Sequence, residues 1–157
     1  MSKLAFIFPG QGAQKAGMGK DFYENSEAAR SFFDQAQKIL DFDLKEMCFG
    51  EHEELNLTEY TQPCMVSVCL AIVQELKKRG ITPDITAGLS LGEYAAVAAA
   101  GGMNELDAIK LVRRRGILMQ STVPAGEGAM AAVLGLDAKK IEEILESFEN
   151  VWIANYN

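Results

Sequence analysis

Residues 85–92 read Ile-Thr-Ala-Gly-Leu-Ser-Leu-Gly, a short apolar stretch that runs into the pattern Gly88-x-Ser90-x-Gly92. This spacing is typical of a nucleophile elbow, a strand-to-helix turn so tight that only glycine fits beside the serine. The composition predicts roughly 0.05 chance matches to the pattern in a chain of this length. The Ala-rich stretch 93–100 predicts the helix that an elbow requires. The sequence therefore predicts an exposed serine over the edge of a sheet.

A second strand and turn lie near the start of the sequence. Residues 4–8 are a continuous apolar run, which predicts a strand buried on both faces, as in a parallel sheet. The loop Gly10-Gln11-Gly12 follows, and its glycines let the backbone approach a substrate carbonyl. Gln11 and Leu91 are thus candidates for the two N–H donors of an oxyanion hole. A plain tight turn explains this spacing equally well.

Apolar periodicity predicts helices over residues 26–40 and 61–79 and after Asn104. The helix at 61–79 is apolar on most sides, so it belongs in an interior. The acidic segment 41–60 is weakly periodic and predicts a loop with short turns. Together with the two strands, these helices indicate an α/β fold with a parallel-sheet core.

The pattern changes at the Gly- and Pro-rich stretch 123–128, which predicts a linker. Beyond it the sequence predicts a strand at 130–134, a capped helix and a second strand at 151–154. Such a β-α-β unit needs further strands to cover both its faces. We therefore expect two domains, residues 1–126 and an incomplete unit at 127–157.

Composition excludes several classes of function. The 157 residues include 15 Lys and Arg against 22 Asp and Glu, and the net charge of −7 argues against a nucleic-acid partner. One His and three Cys without CxxC spacing indicate neither a zinc site nor a disulfide framework, so we expect no metal and no cofactor. The apolar runs are too short for a signal peptide or membrane helix. We expect a cytoplasmic protein with free thiols and no membrane partner.

A serine nucleophile needs a base, and His is the usual one because its pKa suits proton transfer near neutral pH. His52 is the one candidate, and it lies in an acidic stretch without apolar framing. We interpret it as a solvated loop residue. The arginines at 113–115 are consecutive on a predicted helix, where neighbours point about 100° apart, so we expect only one to face inward. An inward arginine near Ser90 would bind a carboxylate bidentately.

Four short segments occur in order along the chain and carry a family resemblance. They are Phe8-Pro9-Gly10-Gln11-Gly12-Ala13-Gln14, Gly88-Leu89-Ser90-Leu91-Gly92-Glu93-Tyr94, Arg115-Gly116 followed by Met119-Gln120, and Ala154-Asn155-Tyr156-Asn157. Together they resemble the malonyl-CoA:acyl carrier protein transacylases of fatty-acid synthesis, from residue 3 to residue 157. The resemblance implies an α/β-hydrolase-like subdomain, a small ferredoxin-like subdomain and an active site in the cleft between them.

The resemblance also implies the chemistry. Ser90 takes the malonyl group from malonyl-CoA and passes it to the phosphopantetheine thiol of acyl carrier protein. The backbone N–H groups of Gln11 and Leu91 hold the oxyanion, and Arg115 pairs with the free carboxylate of malonyl. Malonyl-CoA is then a substrate, and acyl carrier protein is the partner.

Two departures from the family pattern are visible. The residue before the serine is usually His in this family and is Leu89 here, which bears on substrate control. The family's catalytic His and a supporting Gln lie beyond residue 157, and the ferredoxin-like subdomain is cut after its first β-α-β. We therefore expect the N-terminal portion of an acyltransferase, impaired or inactive alone, whose C-terminal half a second chain could carry.

Two other functions stay open at this point. Serine esterases and thioesterases share the elbow, although the Gln11 loop and Arg115 argue against a water acceptor. The lack of a base leaves room for an inactive remnant that binds acyl carrier protein or coenzyme A. In that case Arg113 and Arg114 would form a basic patch for the acidic carrier protein.

Overall fold

The computed structural model describes residues 3–123 and 126–156, and the predicted linker includes residues 124 and 125, which lie outside these ranges. The chain divides into two compact units, Met1–Ala125 and Gly126–Asn157. The elements of the first unit are β1 (Ala5–Phe8), α1 (Lys20–Asn25), α2 (Glu27–Gln37), α3 (Leu44–Phe49), a 3₁₀ turn (Glu53–Asn56), α4 (Thr58–Lys78), β2 (Ile85–Gly88), α5 (Gly92–Ala99) and α6 (Glu105–Thr122). The second unit contains α7 (Ala138–Leu145).

Strands β1 and β2 pair in parallel, with Ala5 opposite Ile85 and Phe8 opposite Gly88. The predicted combination of helices with a parallel sheet is confirmed at this level. Because the strands run the same way, the loop after β1 and the turn after β2 begin at the same edge of the sheet. This edge is where the candidate site lies.

The prediction that β1 is buried on both faces is wrong for the described residues. Phe8 is buried, but Ile7 is 78% exposed and Ile85 on β2 is 53% exposed. Alternate residues of a strand point to opposite faces, so one face of this sheet is covered and the other carries exposed apolar side chains. An apolar run shows that a strand is suited to burial. Whether both of its faces are buried depends on the other elements that pack against the sheet.

Helix α4 is the interior helix that its apolar sides predict, and it packs against both α2 and α6. The predicted cap of α6 is confirmed, since Asn104 Oδ1 accepts hydrogen bonds from the N–H groups of Leu106 and Asp107 at 2.9 and 3.2 Å. None of the helices in the described part of the chain, α4 included, has the length and hydropathy needed to cross a membrane.

The segment 41–60 is more ordered than the loop that its weak periodicity predicts. It contains α3 and the 3₁₀ turn. Asp43 caps α3 by accepting from the N–H of Glu46 at 2.9 Å, while Leu44 and Cys48 are buried beneath the helix. A helix of this length has too few apolar positions for periodicity to reveal it, and tertiary packing supplies its stability.

The two strands predicted in the second unit are not formed in its described residues. Residues 130–134 and 151–154 have no regular secondary structure, whereas the helix between them is present as α7. A strand is stabilised by hydrogen bonds to a neighbouring strand, and the described residues of this unit provide no such neighbour. The assignment of this unit to a ferredoxin-like subdomain stays a prediction.

Helix α6 approaches the first turns of α4 at Gly116. A Cβ atom on Gly116 would lie 2.8 Å from the Cα atom of Glu59 and 2.8 Å from the carbonyl oxygen of Thr58. Side-chain carbons do not come that close to backbone atoms, so the two helices touch here because residue 116 has no side chain.

Two backbone groups of α4 that have no partner within the helix form hydrogen bonds with side chains of α6. The residue before α4 gives no side-chain cap, and Gln120 Oε1 accepts instead from the N–H of Thr58 at 3.0 Å. Pro63 has no N–H, so the carbonyl of Glu59 lacks its helical donor. Arg113 Nη1 donates to that carbonyl at 2.8 Å. These contacts fix the position of α6 along α4.

We predict that Gly116→Ala lowers the free energy of unfolding by about 1–3 kcal/mol, because the new methyl group forces the two helix backbones apart. Helix propensity alone predicts the opposite, a gain of up to about 1 kcal/mol for Gly to Ala inside a helix. Denaturant unfolding of the two proteins measures the difference.

Gly102→Ala is the matched control, since a Cβ atom there would meet only Val97, at 3.1 Å from Cγ1 and 3.4 Å from the carbonyl oxygen. We expect this variant to change the free energy of unfolding by less than about 0.5 kcal/mol. A Gly116→Ala protein that is more stable than the parent would contradict the close contact.

Candidate active site

The turn after β2 has the geometry of an elbow. Ser90 adopts a φ of 50°, in the left-handed region that side chains other than glycine rarely occupy. A Cβ atom on Gly88 would lie 2.1 Å from the carbonyl carbon of Gly92, and one on Gly92 would lie 2.3 Å from the carbonyl oxygen of Phe8. Only glycine fits at either position, and the serine between them is exposed. Strain of this kind is concentrated at functional sites.

Arg115 is the arginine that faces Ser90. Its Nη2 atom donates to Ser90 Oγ at 3.4 Å, and its guanidinium lies 5.6 Å from the ring centroid of Tyr94 on α5. The ring face attracts the cation and holds it beside the elbow. Two predicted site residues from distant parts of the sequence are thereby brought together.

Arg113 corrects the expectation that only one of the three arginines faces inward. Its side chain is 13% exposed, bonds both carboxylate oxygens of Asp41 at 2.9 Å, and lies 5.2 and 5.0 Å from the rings of Phe42 and Tyr60. Neighbouring helical residues point to different elements, so two can be held at once. The hydrogen bond from Arg113 lowers the pKa of Asp41. Arg113 is not free to bind a partner, whereas Arg114 is exposed.

Gln11 and Leu91 lie on either side of the elbow. Gly10 approaches the elbow so closely that a Cβ atom on it would lie 3.0 Å from the carbonyl oxygen of Leu89. Leu91 is buried at the N-terminus of α5. Within the described residues, the backbone N–H groups of Gln11 and Leu91 donate to no protein acceptor. The described part of the chain thus does not use either N–H group in its own hydrogen bonding, and their role as oxyanion donors stays a prediction.

His52 lies in the loop between α3 and the 3₁₀ turn, as its sequence context predicts, and its side chain is 32% exposed. Its Nε2 atom lies 3.0 Å from Glu46 Oε1 on α3, and the ring packs against Gly50. In the part of the chain that the structure describes, the polar partner of His52 is thus Glu46. It offers no contact through which it could take a proton from Ser90.

The three thiols are confirmed as free, and the environments of Cys48 and Cys69 make these two poor nucleophiles. Burial raises the pKa of Cys69 to about 11. A hydrogen bond with Cys64, together with burial, raises the pKa of Cys48 well above its usual range. At neutral pH these thiols are protonated, so neither Cys48 nor Cys69 competes with Ser90.

Gln62 contacts the candidate site and was not among the residues predicted from the sequence. It is fully buried on α4, and its Nε2 atom lies 3.4 Å from Gln11 Oε1. A large amide in the most apolar stretch of an interior helix is the sequence feature that points to it. The stacking of Tyr94 on Arg115 was also not predicted, although Tyr94 belongs to the segment that carries the family resemblance.

Comparison with known proteins identifies the family of the chain. Residues 5–157 match the family model of the acyl transferase domain. The chain is 48% identical to a malonyl CoA-acyl carrier protein transacylase of Bacillus subtilis (strain 168), over 100% of the chain and 51% of that relative. The chain therefore spans about half the length of this relative.

Solved structures agree with the sequence match. A malonyl CoA-acyl carrier protein transacylase from Clostridium perfringens is 44% identical, with a TM-score of 0.83 over 92% of this chain and 46% of its own. A second structure, of a type II PKS acyl-carrier protein in complex with its malonyl-transacylase, has a TM-score of 0.85 at 39% identity and covers 92% and 48%. The resemblance noted in the sequence is confirmed, and the chain belongs to the acyl transferase domain family.

Proposed function

We propose that this chain carries the nucleophile and the carboxylate-binding arginine of a malonyl-CoA:acyl carrier protein transacylase. The observation that carries the proposal is the 3.4 Å contact between Arg115 Nη2 and Ser90 Oγ. A cation beside an elbow serine suits an acyl group with a second carboxylate, which malonyl has and simple acyl groups lack. The names of the relatives support the same substrate.

The proposed reaction has two halves. Ser90 Oγ attacks the thioester carbonyl of malonyl-CoA while a base takes its proton, and the N–H groups of Gln11 and Leu91 donate to the resulting oxyanion. The intermediate collapses to a malonyl ester, and coenzyme A leaves as its protonated thiol. The phosphopantetheine thiol of acyl carrier protein then attacks the ester, forms the new thioester and releases Ser90 with its proton.

The proposal places the general base outside the described residues, since His52 is bound to Glu46. The half of the relatives that this chain does not match is the proposed source, in the same polypeptide or in a second one. An α/β-hydrolase-like core in residues 1–126, part of a ferredoxin-like subdomain in 127–157 and a cytoplasmic location belong to the same proposal.

Acyl carrier protein is the proposed acceptor. A structural neighbour at 39% identity is a complex between a malonyl-transacylase and its acyl-carrier protein. Arg113 is occupied by Asp41 and by the Glu59 carbonyl, so it contributes nothing to a basic docking patch. Of the two arginines considered for that patch, the exposed Arg114 is the one available.

The role of Ser90 can be tested through the formation of an acyl-enzyme. A grafted enzyme is made by placing this chain in the position of its matching segment in the Bacillus subtilis relative. With malonyl-CoA, we expect mass spectrometry to show one malonyl ester on the grafted enzyme and none on its Ser90→Ala variant, which lacks the attacking oxygen. The chain alone is expected to acylate about 10²–10⁴-fold more slowly, because it lacks the base.

Ser121→Ala is the matched control, since Ser121 is exposed on α6 and its hydroxyl donates to the carbonyl of its helical neighbour Leu118. This variant should acylate like the parent. Malonylation of the Ser90→Ala enzyme at the parent rate would remove Ser90 as the nucleophile. Equal rates for the chain alone and the grafted enzyme would remove the claim about the base.

The role of Arg115 can be tested through the choice between two acyl-CoA substrates. In the grafted enzyme, Arg115→Ala should reduce the preference for malonyl-CoA over acetyl-CoA in kcat/KM by about 10- to 100-fold, since one charged hydrogen-bonding partner is lost. Arg114→Ala, which changes the exposed neighbour, should leave the preference unchanged. An unaltered preference in Arg115→Ala would contradict the assigned role. Transfer of the acyl group to water instead of the carrier protein thiol would favour an esterase.

A further inference from the structure

A buried glutamine on α4 lies outside the proposed chemistry yet contacts it. Gln62 is fully buried, and its Nε2 atom lies 3.4 Å from Gln11 Oε1 and 3.3 Å from Met119 Sδ. Its Oε1 atom is also buried and accepts no hydrogen bond from the described residues. A buried amide oxygen without a donor destabilises the folded state. Gln62 is therefore poorly explained by stability alone.

The side chain of Gln11 is fastened to α4 at both ends of its amide. Its Nε2 atom donates to Thr58 Oγ1 at 3.0 Å, and its Oε1 atom accepts from Gln62. Among the described residues, the backbone N–H of Gln11 has no protein acceptor. Fixing the side chain of an exposed loop residue in this way also restricts the direction of its own peptide N–H.

The same loop has a second attachment next to the first. The N–H of Gly12 donates to Gln14 Oε1 at 2.8 Å, and Gln14 Nε2 donates to Asn56 Oδ1 at 3.1 Å. These contacts are exposed, whereas the contact between Gln62 and Gln11 is part-buried and comes from a fully buried residue. Gln62 is thus the buried residue among the supports of the loop.

The contact with Met119 extends this support to α6. Met119 follows Arg115 by one helical turn, and Gln120 beside it bonds the N–H of Thr58 at 3.0 Å. One buried amide therefore touches both the loop that holds an oxyanion donor and the helix that holds the carboxylate-binding arginine.

We infer that Gln62 is a positioning residue that holds Gln11 so that its backbone N–H points at the acyl oxygen on Ser90. The inference rests on the proposed function, in which Gln11 is an oxyanion donor. It assigns Gln62 no contact with substrate. Its effect lies in the rate of acylation and not in the binding of malonyl-CoA.

The test compares two leucine variants of the grafted enzyme. Gln62→Leu removes the amide and keeps most of the volume. We expect kcat for malonyl transfer to fall about 10- to 100-fold, less than the loss of a whole oxyanion donor, while KM and the malonyl-to-acetyl preference change less than about threefold. The denaturation midpoint should stay equal or rise, because the unpaired oxygen is gone.

Gln74→Leu is the matched control. Gln74 lies on the same helix, and its buried Nε2 atom also has no partner among the residues that the structure describes, but Gln74 makes no hydrogen bond to Gln11. This variant should keep the parent kcat. A fall in kcat that comes with a lower denaturation midpoint in Gln62→Leu, or an equal fall in Gln74→Leu, would show a merely structural role and overturn the inference.

A conservative variant separates positioning from packing. Gln62→Glu loses the Nε2 donor when the new carboxyl group is ionised and regains an O–H donor when it is protonated. The ratio of its kcat to that of the parent should therefore rise as the pH is lowered. A ratio independent of pH would contradict the donor role.

These outcomes are distinct from failure of the proposed function. If the parent grafted enzyme forms a Ser90 ester and the Gln62→Leu enzyme forms it at the same rate, the inference about Gln62 fails alone. If the Ser90→Ala enzyme is still malonylated, the proposed function fails, and the Gln62 inference fails with it.

Discussion

The close contact between α6 and α4 at Gly116 is the constraint on which the rest of the site depends. Arg115 immediately precedes the contact, so the depth at which α6 lies against α4 decides whether its guanidinium reaches Ser90. The surrounding polar contacts also serve this arrangement. Pro63 leaves the Glu59 carbonyl without a helical donor, and Arg113 supplies one from α6. A defect in one helix thus becomes an attachment point for the other.

The elbow depends on a second close approach, between the start of α5 and the end of β1. Because the parallel strands β1 and β2 end at the same edge, the loop at Gly10 and the turn at Ser90 meet there although they lie far apart in the sequence. Gly92 lies against the carbonyl of Phe8, which leaves no room for a side chain. The serine is strained and exposed, the N–H groups of Gln11 and Leu91 donate to no acceptor among the described residues, and a cation is adjacent. The serine and the two N–H groups are the nucleophile and the oxyanion donors of the proposed acyl transfer, which also needs a general base from elsewhere.

Local patterns predicted the elements with strong signals. The glycines at 88 and 92 require a tight turn wherever the chain folds, and Asn104 caps its helix through its own neighbours. The features that were predicted wrongly depend on contacts between distant segments of the chain. The exposure of Ile7 depends on which elements cover the sheet. The Arg113 side chain is held inward by Asp41, which lies 72 residues earlier in the sequence. Gln62 belongs to the same group, because a buried amide in an apolar helix has meaning only once its partner is known.

The most direct test of the account is a crystal structure of the grafted enzyme trapped as the malonyl ester of Ser90. The account predicts the free malonyl carboxylate about 3 Å from the guanidinium of Arg115. It also predicts hydrogen bonds from the N–H groups of Gln11 and Leu91 to the ester carbonyl oxygen. A malonyl carboxylate that points to solvent or pairs with another cation, with Arg115 left on Tyr94, would contradict the central claim.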